Sequence, residues 1–421
     1  MYICYKIITY LLYPLAPIYL VFRKLRKKED HIRYKEKLSK ISKTRNKGIL
    51  VWFHVASVGE AMSILPLIEN FVEDKKIDNI LVTSITVSSG KILEKKYEKN
   101  LKVFHQFLPL DIPILTNKFL NHWKPNLSIF VDSEIWPNLI YQVNEKKIPL
   151  VLVNARITKK SYQRWMFFKK FSKTIFSKFD LCIASNREAE QFLKNLGADN
   201  VKNYGNLKFS NIKSDFNYDL NPTLLEKIKN RKIWCAASTH PTEEIFCAKT
   251  HMEIKKKYSN VLTIIIPRHI DRTKTIIKEL TNLNLKVSCY SQQEQVDEKT
   301  DILLVDAYGE ASKFYNLSKS VFVGKSLIKS LIMDSGQNPI EPARLGCKIF
   351  HGPNISNFVE IYEYLKKLNI TKEINTCDEL GISVVEEFKE NKANNSKIKE
   401  KIKNYGQNIF NNVIIELKKY I

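Results

Sequence analysis

Short runs of apolar and β-branched residues, without polar alternation, recur along the chain from residue 49 onward. A strand that is apolar on both faces must be covered by helices on both sides, as in a parallel sheet. Amphipathic stretches with helical spacing separate these runs, for example residues 61–73 and 188–196. Repeated strand–helix units of this kind predict doubly wound α/β layers. The runs are 49–55, 80–83, 127–131, 150–153, 181–184, 233–236, 262–266, 302–304, 320–323 and 348–350.

A polar stretch without a strand candidate divides these runs into two sets of similar size. A chain of 421 residues is long enough for two domains of ordinary length. We therefore expect two Rossmann-like domains facing a cleft. The expected boundaries are 48–210 for the N-terminal domain, 211–230 for a linker and 231–421 for the C-terminal domain, although the pattern alone does not place the last helix.

The first 47 residues form a separate segment. Residues 1–22 contain one charged side chain, Lys6, and a block rich in Lys and Arg follows at 23–47. A secretory signal has its basic residues before the apolar run, so this order argues against export. The uncharged run at 7–22 is shorter than the about 20 residues of a membrane-spanning helix. We expect a membrane-anchoring helix that lies in or shallowly crosses the bilayer, with the basic block on anionic headgroups; a buried helix of the globular body is the alternative.

The net charge of the chain bears on its partners, and its cysteines and histidines bear on disulfides and metal sites. The chain carries 68 Lys and Arg against 44 Asp and Glu, a net charge of +24, which favours anionic partners. A composition rich in Lys would also spread such charge over every solvated face. No zinc-finger, helix-turn-helix or RNP-like signature accompanies the charge, so we expect no nucleic-acid partner. The seven cysteines form no CxxC motif, and the histidines form no HxxxH pair; this indicates reduced thiols and no metal site.

Charged side chains follow the predicted strands of the first domain. Ser57 and Gly59 would permit a tight turn after the first strand, and Glu60 falls in the first turn of the next helix. The helix dipole favours an ionised carboxylate there, which makes Glu60 a candidate general base; an ordinary helix-start glutamate is the alternative. Glu134 directly follows the strand at 127–131 and is a second candidate carboxylate for the site; a helix cap is the alternative. Lys208, near the domain end, would meet a phosphate or carboxylate, or simply be solvated.

The turns of the second domain carry groups suited to an anion. Residues 238–244 open a helix with hydroxyls and free N–H groups. Arg268 stands at a strand end, where a guanidinium can grip a phosphate. Asn338 and Glu341 supply an amide and a carboxylate that can read a phosphate and a ribose diol. No GxGxxG or P-loop motif occurs. These turns indicate a nucleotide monophosphate or nucleotide sugar in the second domain and an acceptor in the first.

Nine motifs in fixed order carry a family resemblance. They are VWFHVASVGEAMSILPL, FLPLD, DSEIWPNLI, LVNARIT, GNLKF, ASTHPTEE, PRH, YGE and GQNPIEPARLG. In this order the chain resembles the 3-deoxy-D-manno-octulosonic acid (Kdo) transferases of lipid A biosynthesis, from the N-terminal segment to at least Phe358. The resemblance implies a GT-B glycosyltransferase fold and an enzyme at the cytoplasmic face of the bacterial inner membrane. It also implies CMP-Kdo as donor and the lipid A precursor, lipid IVA, as acceptor.

The resemblance further implies roles for individual residues. Glu60 matches the general base, which takes the proton of the acceptor hydroxyl in a single inverting displacement. Glu134 and Lys208 match positions that stabilise the transition state. A fixed cation and helix N–H groups would stabilise the leaving CMP, so no metal or other cofactor is expected. The remaining substrate- and CMP-binding residues are Ser57, Gly59, Pro267, Arg268, His269, Tyr308, Gly309, Glu310, Asn338, Pro339, Ile340 and Glu341.

The chain departs from the family pattern at the second-domain loop. Lys325 stands where the family usually has the second glycine of a Gly-Gly pair, and Gln337 stands where it usually has histidine. Two other classes stay open: a GT-B enzyme that uses another nucleotide sugar, and a basic protein that binds membranes or nucleic acid. Competition between CMP and UDP would identify the first class, and steeply salt-dependent binding to nucleic acid would identify the second.

Overall fold

Two parallel sheets organise the chain in the structure, a computed structural model that describes residues 1–41, 43–210, 220–328, 335–390 and 392–421. The chain divides into a first unit of residues 1–213 and 405–421, and a second unit of residues 214–404. Within the described residues each unit holds one seven-stranded sheet, and every strand pair is parallel. The two α/β units predicted from the apolar runs are therefore confirmed.

The sheet of the first unit has the strand order β3-β2-β1-β4-β5-β6-β7. Its strands are β1 Leu50–His54, β2 Asn79–Ser84, β3 Val103–Phe107, β4 Leu127–Val131, β5 Leu150–Ala155, β6 Leu181–Ala184 and β7 Val201–Asn203. The helices are α1 Tyr2–Leu11, α2 Ala16–Leu25, α3 Val58–Glu73, α4 Val87–Tyr97, α5 Pro113–Trp123, α6 Pro137–Glu145, α7 Lys159–Phe167, α8 Lys169–Phe176 and α9 Arg187–Leu196. The strand order reverses between β1 and β4. In sheets of this type ligands bind at such a switch point, outside the carboxyl ends of the strands.

The sheet of the second unit has the order β10-β11-β9-β8-β12-β13-β14 and reverses between β8 and β12. Its strands are β8 Lys232–Thr239, β9 Val261–Pro267, β10 Val287–Cys289, β11 Ile302–Leu304, β12 Ser320–Val323, β13 Lys348–His351 and β14 Thr371–Glu373. The helices are α10 Pro222–Ile228, α11 Glu243–Lys255, α12 Thr273–Thr281, α13 Ala311–Leu317, α14 Ile340–Arg344, α15 Val359–Lys367 and α16 Cys377–Lys389, and α17 Lys392–Leu417 follows. Helix α10 lies within the predicted linker, and residues 211–219 of that linker lie outside the described residues.

The N-terminal segment forms two short helices rather than the single anchoring helix predicted. Within the described residues no one helix has both the length and the apolar character to cross a membrane; α1 and α2 meet those criteria only as a pair, bent by 42°. One side of α1 is docked on the first unit. The Tyr5 hydroxyl donates to Asp111 (2.9 Å), Asn138 Nδ2 donates to the Thr9 hydroxyl (2.9 Å), and the Tyr2 ring is stacked on another tyrosine. The opposite side is apolar and exposed.

Part of the basic block at 23–47 is folded into the first unit. The Arg33 guanidinium donates to Glu36 through two nitrogens, each at 2.8 Å, and to the carbonyl of His105 at 3.0 Å. The ammonium of Lys37 is buried and lies 2.6 Å from Glu29. These two cations are neutralised within the protein, so the expectation that the whole block rests on lipid headgroups is wrong for them.

The last helix, which the sequence pattern did not place and the predicted boundary of 231–421 included in the C-terminal domain, belongs to both units. Its residues from 405 onward are part of the first unit. A Cβ at Gly406 would lie 2.1 Å from the carbonyl oxygen of Phe209, so only glycine lets the helix come this close. Glu416 accepts a hydrogen bond from the Tyr204 hydroxyl (3.1 Å) and pairs with Lys202 (2.8 Å). These side-chain contacts hold the end of the helix against residues 202–209.

Candidate functional site

Glu60 stands at the carboxyl end of β1, in the first turn of α3. Ser57 is the N-cap, and its hydroxyl accepts from the Glu60 N–H (3.3 Å) and donates to Glu60 Oε1 (2.9 Å). The Ala56 N–H donates to Glu60 Oε2 at 2.6 Å. The carboxylate thus caps the helix, as in a capping box, at the switch point of the sheet. A Cβ at Gly59 would meet nothing within 4 Å and its φ is not positive, so the tight turn expected there does not require glycine.

Burial raises the pKa of Glu60. The Ala56 N–H opposes this shift, and the negative charges of Glu134 and Asp132 raise the pKa further. A carboxyl group of this kind takes up a proton more readily than an exposed glutamate does. This environment suits a general base better than a simple cap requires.

Glu134 lies in the turn after β4, next to β1 in the sheet. Its Oε2 accepts from Trp136 Nε1 at 2.8 Å and contacts His54 Nε2 at 3.1 Å. The Glu134 side chain is 12% exposed and that of His54 is fully buried. Trp136 therefore fixes the Glu134 carboxylate by a direct hydrogen bond.

Asp132 lies among the charges of Glu60, Glu134 and Lys208. Burial raises its pKa, Glu134 adds to that shift, and the positive charges of Lys208 and Arg156 lower it. Its backbone has a φ of 60°, which lets the chain turn sharply at the end of β4. Glu60, Glu134 and Lys208 come from three separate parts of the sequence, and all three lie within electrostatic range of Asp132.

The segment that carries Lys208 is fixed on both sides. Leu207 N–H donates to the side chain of Asn154 (2.9 Å), which lies in an irregular stretch of β5 with a φ of 54°. Gly205 has a φ of 100°, and a Cβ there would lie 2.8 Å from the hydroxyl of Tyr405 on α17. The backbone at Gly205 thus approaches the C-terminal helix closely.

A buried carboxylate organises the switch point of the second unit. Glu243, at the start of α11, accepts four backbone N–H bonds: from His240 (3.0 Å), Lys325 (2.7 Å), Ser326 (2.9 Å) and Leu327 (3.1 Å). Burial raises the pKa of Glu243, and these N–H groups oppose the shift. Glu243 therefore joins the turn after β8 to the loop after β12.

Cationic and imidazole side chains gather beside this loop. The rings of His240 and His269 lie 5.7 Å apart, edge to face. Burial lowers the pKa of His240, and the charges of Lys325, His269 and Arg268 lower it further. Arg268 and His269 directly follow Pro267 at the end of β9 and are exposed. By contrast, Arg272 forms an ion pair with buried Glu244 at 2.9 Å. Arg268, unlike Arg272, is therefore exposed at the strand end and positioned for an anionic ligand.

The Tyr308–Glu310 turn lies beyond β11, the neighbour of β9. Gly309 has a φ of 84°, a backbone conformation that favours glycine, and Tyr308 is largely exposed. Glu310 accepts from the Tyr290 hydroxyl (3.1 Å) and pairs with Lys313 (2.7 Å). The Glu310 carboxylate is therefore held by Lys313 and by Tyr290, which lies beyond β10.

The 338–341 segment leads into α14. Asn338 Oδ1 accepts from the N–H of Ile340 at 3.1 Å, and Pro339 is the N-cap of the helix. Burial raises the pKa of Glu341, and Arg344 opposes the shift. Glu341 accepts no hydrogen bond from the described side chains, which leaves its oxygens available to a donor such as a ribose hydroxyl.

Both departures from the family pattern fall near this segment. Lys325 has a φ of 57°, a conformation that costs a non-glycine residue about 1 kcal/mol, which explains why glycine is usual there. Its carbonyl accepts from the Gly336 N–H at 2.7 Å. Gln337 accepts through its carbonyl from the Tyr362 hydroxyl at 3.1 Å. Both residues thus make these contacts through their backbone carbonyls.

Three functional candidates were not among the predicted site residues: His54, Asp132 and Glu243. Each is a polar residue at or next to the carboxyl end of a strand, and that position was the available signal. Over the described ranges, no group of three or more His, Cys, Asp or Glu side chains is arranged to hold a metal ion.

Comparison with known proteins gives one family. Residues 32–211 match the family model described as 3-Deoxy-D-manno-octulosonic-acid transferase (kdotransferase). The chain is 34% identical over 405 residues to the 3-deoxy-D-manno-octulosonic acid transferase of Rickettsia bellii, covering 96% of this chain and 93% of that protein.

Solved structures resemble the fold. A UDP-N-acetylglucosamine 2-epimerase aligns over 89% of this chain and 97% of its own, with a TM-score of 0.59 and 13% identity. A glycosyltransferase from Rickettsia africae aligns over 89% and 99%, with a TM-score of 0.56 and 13% identity. At these identities the likeness concerns the fold alone: two parallel-sheet α/β domains that resemble the GT-B type.

Proposed function

Since this chain belongs to the 3-deoxy-D-manno-octulosonic acid (Kdo) transferase family and is a glycosyltransferase for Kdo, we propose that its donor is CMP-Kdo and its acceptor the lipid A precursor, lipid IVA. The observation that carries the proposal is the cluster of Glu60, Glu134 and Lys208 at the switch point of the first unit. Such a cluster combines a proton acceptor with a cation, as a displacement at a sugar carbon requires.

The proposed reaction is a single inverting displacement. The Glu60 carboxylate takes the proton of the acceptor's primary hydroxyl as that oxygen forms a bond to the anomeric carbon of Kdo. The bond between that carbon and the phosphate oxygen of CMP breaks, and CMP leaves with the electron pair. Lys208 and Glu134 stabilise the charges that develop on Kdo. The raised pKa of Glu60 supports this role, because a stronger base takes the proton more readily.

The proposed donor site lies in the second unit. Arg268 and His269 would bind the phosphate of CMP, with Lys325 adding positive charge and His240 a neutral imidazole, and Glu341 would accept from the ribose hydroxyls. Fixed cations of this kind can stabilise the leaving phosphate, so the proposal needs no metal or other cofactor.

We also propose that the first unit binds the cytoplasmic face of the bacterial inner membrane. Ile3, Ile7 and Leu11 project from one face of α1 and are each more than half exposed. The Phe171 ring of α8 lies 5.8 Å from the Tyr5 ring, so α8 adjoins α1. All seven cysteines are free thiols, which supports a reducing compartment.

A second apolar element lies beside α1, at the junction of α7 and α8. Phe167 is 82% exposed, and its ring packs edge to face against that of Phe168. Exposed basic residues surround the pair without an acidic residue between 157 and 179, as an anionic lipid surface would favour. The basic residues are Lys159, Lys160, Arg164, Lys169, Lys170 and Lys173.

We expect the double substitution Phe167→Ser and Phe168→Ser to lower binding to vesicles of anionic phospholipid about tenfold or more, because each buried phenyl ring contributes about 2 kcal/mol. Vesicle co-sedimentation measures the change. Leu101→Ser is the matched control: Leu101 is an exposed apolar residue in the loop before β3, at the other edge of the sheet. Equal binding of the double variant and the control would contradict this part of the proposal.

The function is tested by transfer from freshly generated CMP-Kdo to tetra-acylated lipid A precursor in detergent, with the product mass read directly. A gain of one or more Kdo masses is expected, and the mass also counts the units added. Folded protein that binds CMP but gives no gain would exclude this acceptor. Stronger competition by UDP than by CMP would favour another nucleotide sugar as donor.

A further inference from the structure

His54 is a buried polar residue that the proposed reaction does not use. It is the last residue of β1, next to β2 on one side and β4 on the other. Its side chain is fully buried, and its ring packs edge to face against Phe130, with the centroids 5.3 Å apart. Both ring nitrogens have partners: Nδ1 contacts the Thr83 hydroxyl at 2.9 Å, and Nε2 contacts Glu134 Oε2 at 3.1 Å.

The two partners of the His54 ring assign its tautomer. The Thr83 hydroxyl accepts the indole N–H of Trp52 at 2.9 Å. Its single hydrogen is then directed either to His54 Nδ1 at 2.9 Å or to the Phe53 carbonyl at 3.4 Å. The hydroxyl has a second lone pair, so this contact alone permits either direction. The Glu134 carboxylate oxygen can only accept, however, which requires a hydrogen on Nε2 and leaves Nδ1 to accept from the Thr83 hydroxyl. The neutral ring then carries its hydrogen on Nε2 and donates it to Glu134.

This donation matters because little else orients the carboxylate. Glu134 lies in an irregular turn that starts at Asp132 with a positive φ, so no regular helix determines its direction. Oε2 receives two N–H groups, one from His54 and one from Trp136. Oε1 accepts no hydrogen bond from the residues that the structure describes. The two donors therefore hold one oxygen and leave the other available.

We propose that His54 is a positioning residue, which holds Glu134 by Nε2–H donation so that the free oxygen faces the reacting sugar. The proposal rests on the proposed function in one respect, the participation of Glu134 in Kdo transfer. Its structural part, a Thr83–His54–Glu134 chain with a defined tautomer, stands independently.

Two amide substitutions of His54 distinguish a positioning role from simple support of the fold, because their side chains differ in length. In His54→Gln the side-chain nitrogen takes the place of Nε2 and can still donate to Glu134. In His54→Asn the nitrogen takes the place of Nδ1, near Thr83, and does not reach Glu134. Both variants keep a neutral polar group in the site, so His54→Asn is the matched control for the loss of this one hydrogen bond.

We expect His54→Asn to lower kcat for Kdo transfer by about tenfold or more, as for the loss of one hydrogen bond to a charged group. KM for the donor and CMP binding should stay within about twofold, since the predicted donor residues lie in the second unit. His54→Gln should keep kcat within about threefold of the parent. Equal kcat in the two variants, or a parallel loss of CMP binding and thermal stability, would overturn the positioning role.

A second measurement separates this proposal from the proposed function. In full-length protein labelled with ¹⁵N-histidine, the His54 resonances, assigned by their loss in His54→Gln, should show a protonated Nε2 and an unprotonated Nδ1. The opposite tautomer would overturn the chain of hydrogen bonds whatever the activity. If the parent enzyme does not transfer Kdo while this tautomer is observed, the proposed function fails and the structural part of this proposal stands.

Discussion

Glu60→Gln is expected to lower Kdo transfer by about a thousandfold, within the range for the loss of a general base. The amide has nearly the same shape and can still accept from the Ala56 N–H, so the start of α3 should stay capped. CMP binding should change by no more than about twofold, because the predicted donor residues belong to the second unit. Initial rates with CMP-Kdo and lipid acceptor, together with CMP titration, measure both quantities.

The pH dependence provides an independent test of the same residue. Burial raises the pKa of Glu60, and the nearby Glu134 and Asp132 raise it further. Only the ionised carboxylate accepts a proton, so transfer should fall as the pH falls through this raised pKa. The residual rate of Glu60→Gln should lack that acidic limb. Glu73→Gln, at the exposed far end of α3, is the control and should behave as the parent. A normal rate in Glu60→Gln would exclude it as the base.

Glu243→Gln is expected to destabilise the second unit by about 3 kcal/mol. Its carboxylate accepts four backbone N–H groups in a buried site. An amide would turn its own NH₂ toward two of those donors, and each unsatisfied buried donor costs about 1–3 kcal/mol. Because the same bonds hold the loop at 325–327, CMP binding should weaken about tenfold or more. Chemical unfolding of the full chain and CMP titration measure these changes.

The control for this substitution lies on the same helix. Glu253→Gln removes a carboxylate of α11 that is partly exposed and pairs with Lys256 at the surface. Such pairs contribute little to stability, so unfolding and CMP binding should stay near those of the parent. If Glu243→Gln matched this control, the N–H bonds to the carboxylate would not determine the conformation of the loop.

The strands that sequence patterning missed are the four sheet edges: β3, β7, β10 and β14. An interior strand is covered by neighbours and helices on all sides, which demands the continuous apolar runs that the sequence displays. An edge strand has one free side and tolerates polar residues. In β7 all three residues are only partly buried, and two of three in β14 are exposed. Such segments look like loops to any argument from apolar runs.

The site shows a similar division between what pattern predicts and what it misses. Glu60 and Glu134 were identified because each directly follows a strand, where parallel sheets expose their ligands. Glu243 occupies a comparable place, yet its function in holding the loop depends on N–H groups from residues 325–327, far away in sequence. His54 resembled any polar residue inside a strand until its two partners were known. Contacts between distant segments carry this information, and local spacing does not.

The return of α17 to the first unit has a consequence for the order of synthesis. Residues 405–421 emerge from the ribosome after the whole second unit, yet they pack against residues 202–209. The second unit can therefore complete its fold while the first still lacks one of its parts, and the surface around Gly205 and Phe209 is uncovered during that interval. The first unit is complete only after residues 405–421 have left the ribosome. Producing the two units as separate polypeptides would require supplying residues 405–421 to the first.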